Sequence, residues 1–454
     1  MKKKKRREFG GCRFSLVSKS DCRLEKEGSS CVFFKTKRIA RRMIYSKSVS
    51  NLILIHIALK QKARIERQKQ RHLQPYASKR CRAGNRVRDR EFALKLMSEC
   101  TDFEFTRMFR MGRAAFGKLL DLIKNDISAK DGRKGGAYSI PNVTKLAATL
   151  RWLAGGSYLD ISSLFGLDQS NFFNKHGFLW KTIDAIDAAL DLGMSFAPDF
   201  LARTAAEFAA LSRNRMTRCV MAVDGWVCET RQPTKSEVGA ETVLTYRNRK
   251  SCWGIVCIAG CDARCRFLMM SAKCSGNTHD HVAWDSTTMA TLLEAGVLPE
   301  EYYFIGDEAF VNTNQFLIPW SGTGLGLWKD SFNYHLSAMR QTIERAFGLL
   351  TQRWGIFWRP LRFRFSKWST VVTVCAKLHN FCIDESCAVP LGAVDDRLTP
   401  ENIWRVFDNH PSREDDDGGR MFIRPTGAKR RDITTQLEIA GVVRPGHASK
   451  NGKA

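Results

Sequence analysis

A chain of 454 residues can hold two or three domains, and its 44% hydrophobic content is ordinary for a globular protein. Its formal charge of +27 is not ordinary and indicates a polyanionic partner or a strongly solvated surface. No apolar run approaches the roughly 20 residues of a membrane-spanning helix. The basic amino end is not followed by the apolar region of a signal peptide. We therefore expect neither a membrane protein nor a secreted one.

The positive charge is concentrated at the amino end of the chain. Residues 1–90 contain 28 lysines and arginines against 6 acidic residues, a surplus of 22 out of the total of 27. The run from Met1 to Arg7 is typical of a nuclear import signal or of an arm that binds the DNA backbone, although a merely solubilising segment is the alternative. We predict a nuclear protein whose residues 1–92 form a basic arm that is disordered without DNA.

Residues 93–215 are predicted to be all-helical. Within them, residues 144–180 have the pattern of a helix-turn-helix: a short helix, a turn at 165–167, and a further helix that Asp168 caps. In such a motif the second helix enters the major groove of DNA. An ordinary helical bundle is the alternative interpretation. The residues expected to contact DNA are Gln169, Ser170, Asn171 and Lys175.

Fifteen cysteines are spread along the chain. In a long chain without a signal peptide, we expect free thiols rather than disulfides. The densest group lacks the paired C-x-x-C spacing of a zinc site and overlaps apparent strands, which favours burial in the core. This group comprises Cys252, Cys257, Cys261, Cys265 and Cys274.

Two aspartates are predicted at positions where α/β folds commonly place functional side chains. Asp224 ends the apolar run 220–223 and Asp307 ends the run 302–306, so each is predicted at the end of a buried strand. A carboxylate in such a place is costly unless it is paired or bound to a metal ion. Ends of neighbouring strands can bring such groups together.

A third carboxylate, Glu344, lies at the edge of the apolar stripe of a long helix predicted over 333–357. Taken alone, it is explained by an exposed salt bridge to Arg340 one turn earlier, worth a few tenths of a kcal/mol. Together with the two aspartates, it would instead supply hard oxygen ligands for Mg²⁺ or Mn²⁺. The residues alone leave both interpretations open.

The predicted elements after residue 216 follow an α/β order. They are a strand at 219–224, a strand pair at 253–260 and 266–271 with a turn at 261–262, a helix at 282–294, the strand that ends at Asp307, and the helix that carries Glu344. This order by itself does not distinguish one α/β sheet from another.

Five short motifs occur here in order: VDGW at 223–226, YRNRK at 246–250, GNTHD at 276–280, GDEAF at 306–310 and IERAFG at 343–348. With these motifs, the region from about 107 to 381 resembles the DDE transposases of the PIF/Harbinger superfamily, which include the Harbinger transposase-derived nucleases. The sequence departs from the family pattern at Trp226, Asn277 and Phe310, and none of these departures removes an acid. The resemblance implies an RNase H-like catalytic domain over 216–383, followed by a C-terminal tail over 384–454.

The resemblance also implies the chemistry. Asp224, Asp307 and Glu344 would be the catalytic acids that hold two divalent metal ions, Mg²⁺ or Mn²⁺, with Asp224 bridging both ions. Asp280 is the candidate for a fourth ligand or for a group that orients the others. The enzyme would cut DNA phosphodiesters with water and join the freed 3′-hydroxyl ends to target DNA.

Further expectations concern DNA and other partners. Arg249 and Lys250 either contact phosphates near the site or merely cover the sheet. The resemblance implies a homo-oligomer on DNA and a separate Myb-like DNA-binding partner, which family members commonly use. A domesticated, non-catalytic DNA-binding regulator is the alternative function, and the retained acids argue against it. In the tail, we predict a solvated acidic linker at 414–419 and a short docking helix within 429–445.

Overall fold

The computed structural model describes residues 91–128, 140–387 and 428–445, which all belong to one compact unit, Arg86–Ala454. The predicted arm up to residue 90 and the acidic linker at 414–419 lie outside the described residues. Among the helices described, none is both long and apolar enough to cross a membrane.

The chain before the sheet is helical. Its helices are α1 (Glu91–Glu99), α2 (Asp102–Phe109), α3 (Arg113–Ile127), α4 (Asn142–Leu153), α5 (Tyr158–Leu164), α6 (Gln169–Phe172), α7 (Phe178–Ala189) and α8 (Pro198–Leu211). Helix α2 begins where it does because Thr101 and Glu104 form a capping box. Its buried rings, Phe105 and Phe109, then pack against Phe116 of α3.

The segment predicted to be a helix-turn-helix contains α4, α5 and α6. Ser157 caps α5, and Asp168 caps α6 by accepting a hydrogen bond from the backbone N–H of Ser170 at 2.8 Å. The helix expected after Asp168 is, however, a single turn, which is shorter than a helix that lies along a groove. The chain leaves the helical path because the buried ring of Phe172 turns inward onto Phe178. The DNA-reading role of this segment stays a prediction.

The sheet has five strands in the described part of the chain, in the order β3-β2-β1-β4-β5. The strands are β1 (Cys219–Glu229), β2 (Gly254–Cys261), β3 (Phe267–Ser275), β4 (Tyr303–Ile305) and β5 (Phe316–Leu317). The first three are antiparallel, whereas β4 and β5 run parallel to β1. The predicted hairpin is confirmed, and Asp262 at its turn accepts hydrogen bonds from the backbone N–H groups of Arg264 and Arg266. This mixed sheet agrees with the α/β prediction and is compatible with an RNase H-like domain.

The remaining helices fill the connections and the tail. They are α9 (Lys235–Val238), α10 (Asp280–Asp285), α11 (Thr288–Glu294), α12 (Leu327–Arg353), α13 (Trp368–Asp384) and α14 (Ala428–Ile439), with 3-10 turns at Val243–Tyr246, Gly355–Trp358 and Phe365–Lys367. The single helix predicted at 282–294 is in fact two, because the hydroxyl of Thr287 caps a new helix by accepting a hydrogen bond from Ala290 N at 3.1 Å. The long helix that carries Glu344 is α12.

Two hydrophobic cores hold these layers together. The larger core runs from the amino-terminal helices across one face of the sheet to α12 and α13, and the smaller core lies on the opposite face under α8, α10 and α11. The tail helix α14 packs on α12 and buries Ile433 and Leu437. The predicted cysteine group consists of free thiols: Cys257, Cys261 and Cys265 are buried as expected, whereas Cys252 and Cys274 are only half-buried.

Candidate active site

Asp224 and Asp307 lie near each other where β4 ends. Strand β4 pairs with β1 only as far as Ala222 opposite Ile305, whereas β2 continues beside β1 past Asp224. Asp224 is therefore inside β1 and not at its end as predicted, because the hairpin partner extends the strand. Asp307 follows β4 by two residues, and its negative charge raises the pKa of Asp224.

Arg340 of α12 connects the aspartate on the sheet to Glu344. Its Nη1 donates to Asp224 Oδ2 at 3.3 Å and its Nη2 to Glu344 Oε1 at 2.6 Å. The salt bridge within the helix is thus present, but the same guanidinium also reaches the sheet. The side chain of Glu344 is 49% exposed and that of Asp224 is 15% exposed, so this chain of charges runs from solvent into the fold. The salt-bridge interpretation of Glu344 is confirmed, and its role as a metal ligand stays a prediction.

A fourth carboxylate, Asp280 at the start of α10, lies against Gly225. A Cβ atom at position 225 would be 2.5 Å from Asp280 Oδ1, so only glycine leaves room for this carboxylate beside Asp224. Sequence reasoning missed both Gly225 and the bridging role of Arg340. The signal for the glycine was present in VDGW, because a glycine inside a strand marks a place where another group approaches the backbone closely.

Burial raises the pKa values of these aspartates. The pKa of Asp224 rises to about 7 because of burial, with the charge of Asp307 adding to the shift and Arg340 opposing it. Burial also raises the pKa of Asp307, and burial with the charge of Asp307 raises that of Asp280. One guanidinium therefore does not offset the negative charge of the cluster. Carboxyl groups with such pKa values are typical of functional sites.

The donor set fits divalent metal ions, since carboxylate oxygens are the ligands that Mg²⁺ and Mn²⁺ prefer. Within the described ranges, no group of three or more Asp, Glu, His or Cys side chains is arranged closely enough to hold a metal ion. The guanidinium of Arg340 instead links Asp224 to Glu344. A cleft lined by Asp307, Ser337 and Arg340, among others, opens beside the acids.

The predicted DNA contacts fall into two groups. Arg249 is exposed, its Nη2 lies 2.7 Å from Nδ1 of His279, and its charge acts on Asp280, so it borders the acid cluster. Lys250, the next residue, is also exposed. The second group belongs to the helical segment and is exposed; Ser170 Oγ donates to Asp168, and the carbonyl of Lys175 accepts from Arg364 Nη2 at 3.1 Å. This group is Gln169, Ser170, Asn171 and Lys175.

The chain is similar to known proteins in the region that contains these acids. Residues 223–380 match the profile of a family described as DDE superfamily endonuclease. The chain is also similar to the putative nuclease HARBI1 of Bos taurus, at 26% identity over 153 residues, which is 32% of this chain. The similarity covers 42% of that protein, less than half of its length. No solved structure gave a significant match.

The matched region includes β1 from Val223 onward, the end of β4, and α12, and so contains Asp224, Asp280, Asp307 and Glu344. The order of the motifs and the geometry of the acids agree with this match. Residues 223–380 are therefore similar to DDE superfamily endonuclease domains, and this similarity is consistent with a family of the Harbinger type.

Proposed function

We propose that this chain is a metal-dependent DNA nuclease of the DDE type, and a transposase that joins the DNA ends it cuts. The observation that supports the proposal best is the convergence of Asp224, Asp307 and Glu344, from three different elements, around the guanidinium of Arg340. The family match agrees with it, and the bovine relative is described as a putative nuclease.

Asp224, Asp307 and Glu344 would hold the two divalent ions, and the charges of Asp307 and Glu344 both act on Asp224. Asp280 would be a further ligand or would orient the others. When bound, such a metal pair activates a water molecule or a 3′-hydroxyl and stabilises the leaving oxygen of the phosphodiester. The protein prepares the site by holding the carboxylates close together against their mutual repulsion. The charge of Arg340 opposes that repulsion at Asp224 and Asp307.

The proposal extends to location and partners. The surplus of 22 positive charges within residues 1–90 favours binding to the DNA backbone and a nuclear location. Assembly of a homo-oligomer on DNA and association with a Myb-like DNA-binding protein are proposed from the family resemblance alone. Size measurement of the DNA complex and a pull-down test them, and a monomer without a partner would reject both.

The acids are tested by a plasmid-nicking assay on the full chain in Mg²⁺ or Mn²⁺. Asp224→Asn, Asp307→Asn and Glu344→Gln keep the shape of each side chain but remove its charge, so each should lower the nicking rate on the order of 1,000-fold or more. Asp285→Asn, an exposed acid on α10, is the matched control and should nick normally. Circular dichroism and thermal melting check that every variant folds.

Full activity in any one of the three variants would remove that residue from the site. If the parent chain binds DNA but nicks none, the non-catalytic regulator becomes the better account. Strand transfer is scored separately, as the joining of an oligonucleotide with a free 3′-hydroxyl to plasmid DNA. A chain that nicks but does not join would be a nuclease and not a transposase.

A further inference from the structure

Trp358 is an exposed tryptophan in the 3-10 turn Gly355–Trp358 that follows α12. The residue is 55% exposed, whereas Trp354 four residues earlier is fully buried. A single exposed apolar residue is ordinary. Trp358, however, is fixed in place: its Nε1 donates to the carbonyl of Thr351 at 2.8 Å, and the guanidinium of Arg110 lies 5.7 Å from its ring centre.

Further arginines lie close to Arg110, whose guanidinium faces this ring. Burial lowers the pKa of Arg110, and the nearby charges of Arg151, Arg107 and Arg353 lower it further. Arg107, Arg151 and Arg359 form no ion pair with an acid among the residues that the structure describes. Unbalanced positive charge favours a polyanionic partner. We call Trp358, Arg107, Arg151 and Arg359 the Trp358 patch.

The Trp358 patch lies on the same side of the fold as the candidate active site. Thr351, which anchors the ring, follows Glu344 by seven residues, or two turns on the same face of α12, a distance of about 10 Å. On the sheet, Trp226 follows Asp224 by two residues and so faces the same way, and its ring packs on Phe357 at 5.2 Å. Bases along a strand are about 3.4 Å apart. A strand cut at the acids would therefore pass the patch a few nucleotides away.

The turn that carries Trp358 is held rigidly on both sides. A Cβ atom on Gly355 would be 2.5 Å from the carbonyl oxygen of Ala154, so the turn packs directly on the end of α4. After the turn, Leu361 donates to Glu229 O and accepts from Arg231 N, both at 2.9 Å, which ties the chain to the end of β1. A fixed ring loses little conformational entropy when a base stacks on it.

We propose that the Trp358 patch binds an unpaired segment of the DNA strand beside the cleavage position, with a base stacked on Trp358 and phosphates on its arginines. Aromatic rings within a basic surface are the usual device for holding single-stranded DNA, since every base has a stacking face. This inference rests on the proposed nuclease function and adds the form of the substrate: DNA that is locally unpaired next to the cut.

The test uses the full chain with Asp307→Asn, which leaves the DNA intact, and a forked oligonucleotide with 2-aminopurine in its single-stranded arm. A fully paired duplex serves as the comparison, at salt high enough to weaken purely electrostatic binding. Binding should quench the 2-aminopurine fluorescence by stacking. Trp358→Ala should abolish the quenching and weaken fork binding by about 5- to 100-fold, with duplex binding unchanged. Trp358→Phe should restore most of both signals.

The arginine contribution is tested in the same assay. Arg359→Ala should weaken fork binding and reduce the slope of log affinity against log salt by about one. Arg431→Ala, the same change at an exposed position on α14, is the matched control and should alter neither quantity.

Two results would overturn the inference: quenching and fork affinity that survive in Trp358→Ala, or an equal loss of affinity for fork and duplex. Nicking of the same fork by the parent chain in Mn²⁺ separates this inference from the proposed function. Nicking without any dependence of fork binding on Trp358 rejects the inference alone. Fork binding that depends on Trp358, with no nicking by the parent chain, supports the inference and rejects the nuclease.

Discussion

Asp224 has a largely buried carboxylate whose ionisation opposes folding. Burial raises its pKa from an ordinary value of 3.8 to about 7. The folded state therefore holds this proton more tightly than the unfolded chain does. The stability that the group contributes is fully present below about pH 4 and is lost as pH rises through about 7. A site that keeps such a group ionised for chemistry does so at the expense of stability.

Asp224→Asn should therefore stabilise the protein in a pH-dependent way. The difference in free energy of unfolding between variant and parent should grow between about pH 4 and pH 7, by at most about 4 kcal/mol, and then stay constant. Urea denaturation followed by circular dichroism over this pH range measures the difference. A difference that does not change with pH would show that the pKa of Asp224 is not raised.

Gly225→Ala tests whether Asp280 belongs to the site. The added methyl group would meet the carboxylate of Asp280, so the variant should move that carboxylate away and lose about 1–3 kcal/mol of stability. If Asp280 contributes to nicking only in its present position, Asp280→Asn and Gly225→Ala should reduce the rate by similar factors. The double variant should then be no worse than either single one. Losses that multiply in the double variant would contradict this explanation.

At the scale of elements, α12 organises the site and α14 supports it. Helix α12 carries Arg340 and Glu344 on one face, and α14 packs on the same helix. Arg430 of α14 lies 3.9 Å from the ring centre of Trp320 and donates to the carbonyl of Pro319 at 3.0 Å. Trp320 in turn donates from Nε1 to the hydroxyl of Thr434 at 3.1 Å. The tail helix is thus part of the same folded unit as the acids.

Leu437→Ala should destabilise the protein by about 2–4 kcal/mol, because this side chain is 2% exposed between α14 and α12 and its truncation leaves a cavity. The matched control is Ile439→Ala on the same helix, which is 82% exposed and should change stability by less than about 0.5 kcal/mol. Chemical denaturation of the full chain measures both. Equal effects in the two variants would show that α14 does not pack as described.

For the whole molecule, the junction between the amino-terminal helices and the sheet with its helices depends on close backbone packing. Gly355, after α12, lies against the carbonyl of Ala154. Gly155, at φ +98°, packs on Gly355: an ideal Cβ atom on Gly155 would be 3.0 Å from the backbone of Gly355. The larger core continues through this junction. The helical segment and the sheet should therefore unfold together.

Gly355→Ala should lower the free energy of unfolding by about 1–3 kcal/mol, because the new methyl group meets backbone atoms that cannot move independently. Gly348→Ala is the matched control: position 348 lies within α12 with no atom near the added Cβ, so the change should raise stability by roughly 0.5–1 kcal/mol. Thermal melts of the two variants should move in opposite directions. A stable Gly355→Ala variant would mean that the two parts are not packed closely at this point.

Local features were predictable because they depend on near neighbours in the chain. Asp168 caps a helix as expected, and the hairpin turn at Asp262 forms where polar residues interrupt two apolar runs. The length of α6 was not predictable, because the helix ends at Phe172, whose ring packs on Phe178 of α7. The position of Asp224 inside β1 was missed for the same reason, because the pairing with β2 extends the strand.

The sequence by itself determined the α/β order, the concentration of positive charge at the amino end, and the identity of three acids, since spacing, charge and motif order are properties of the chain. Only the tertiary structure decided how those acids are held. Arg340 links Asp224 to Glu344, and Gly225 leaves room for Asp280. These contacts join residues that are far apart in sequence, and their energies depend on distance and burial, which the order of residues does not contain.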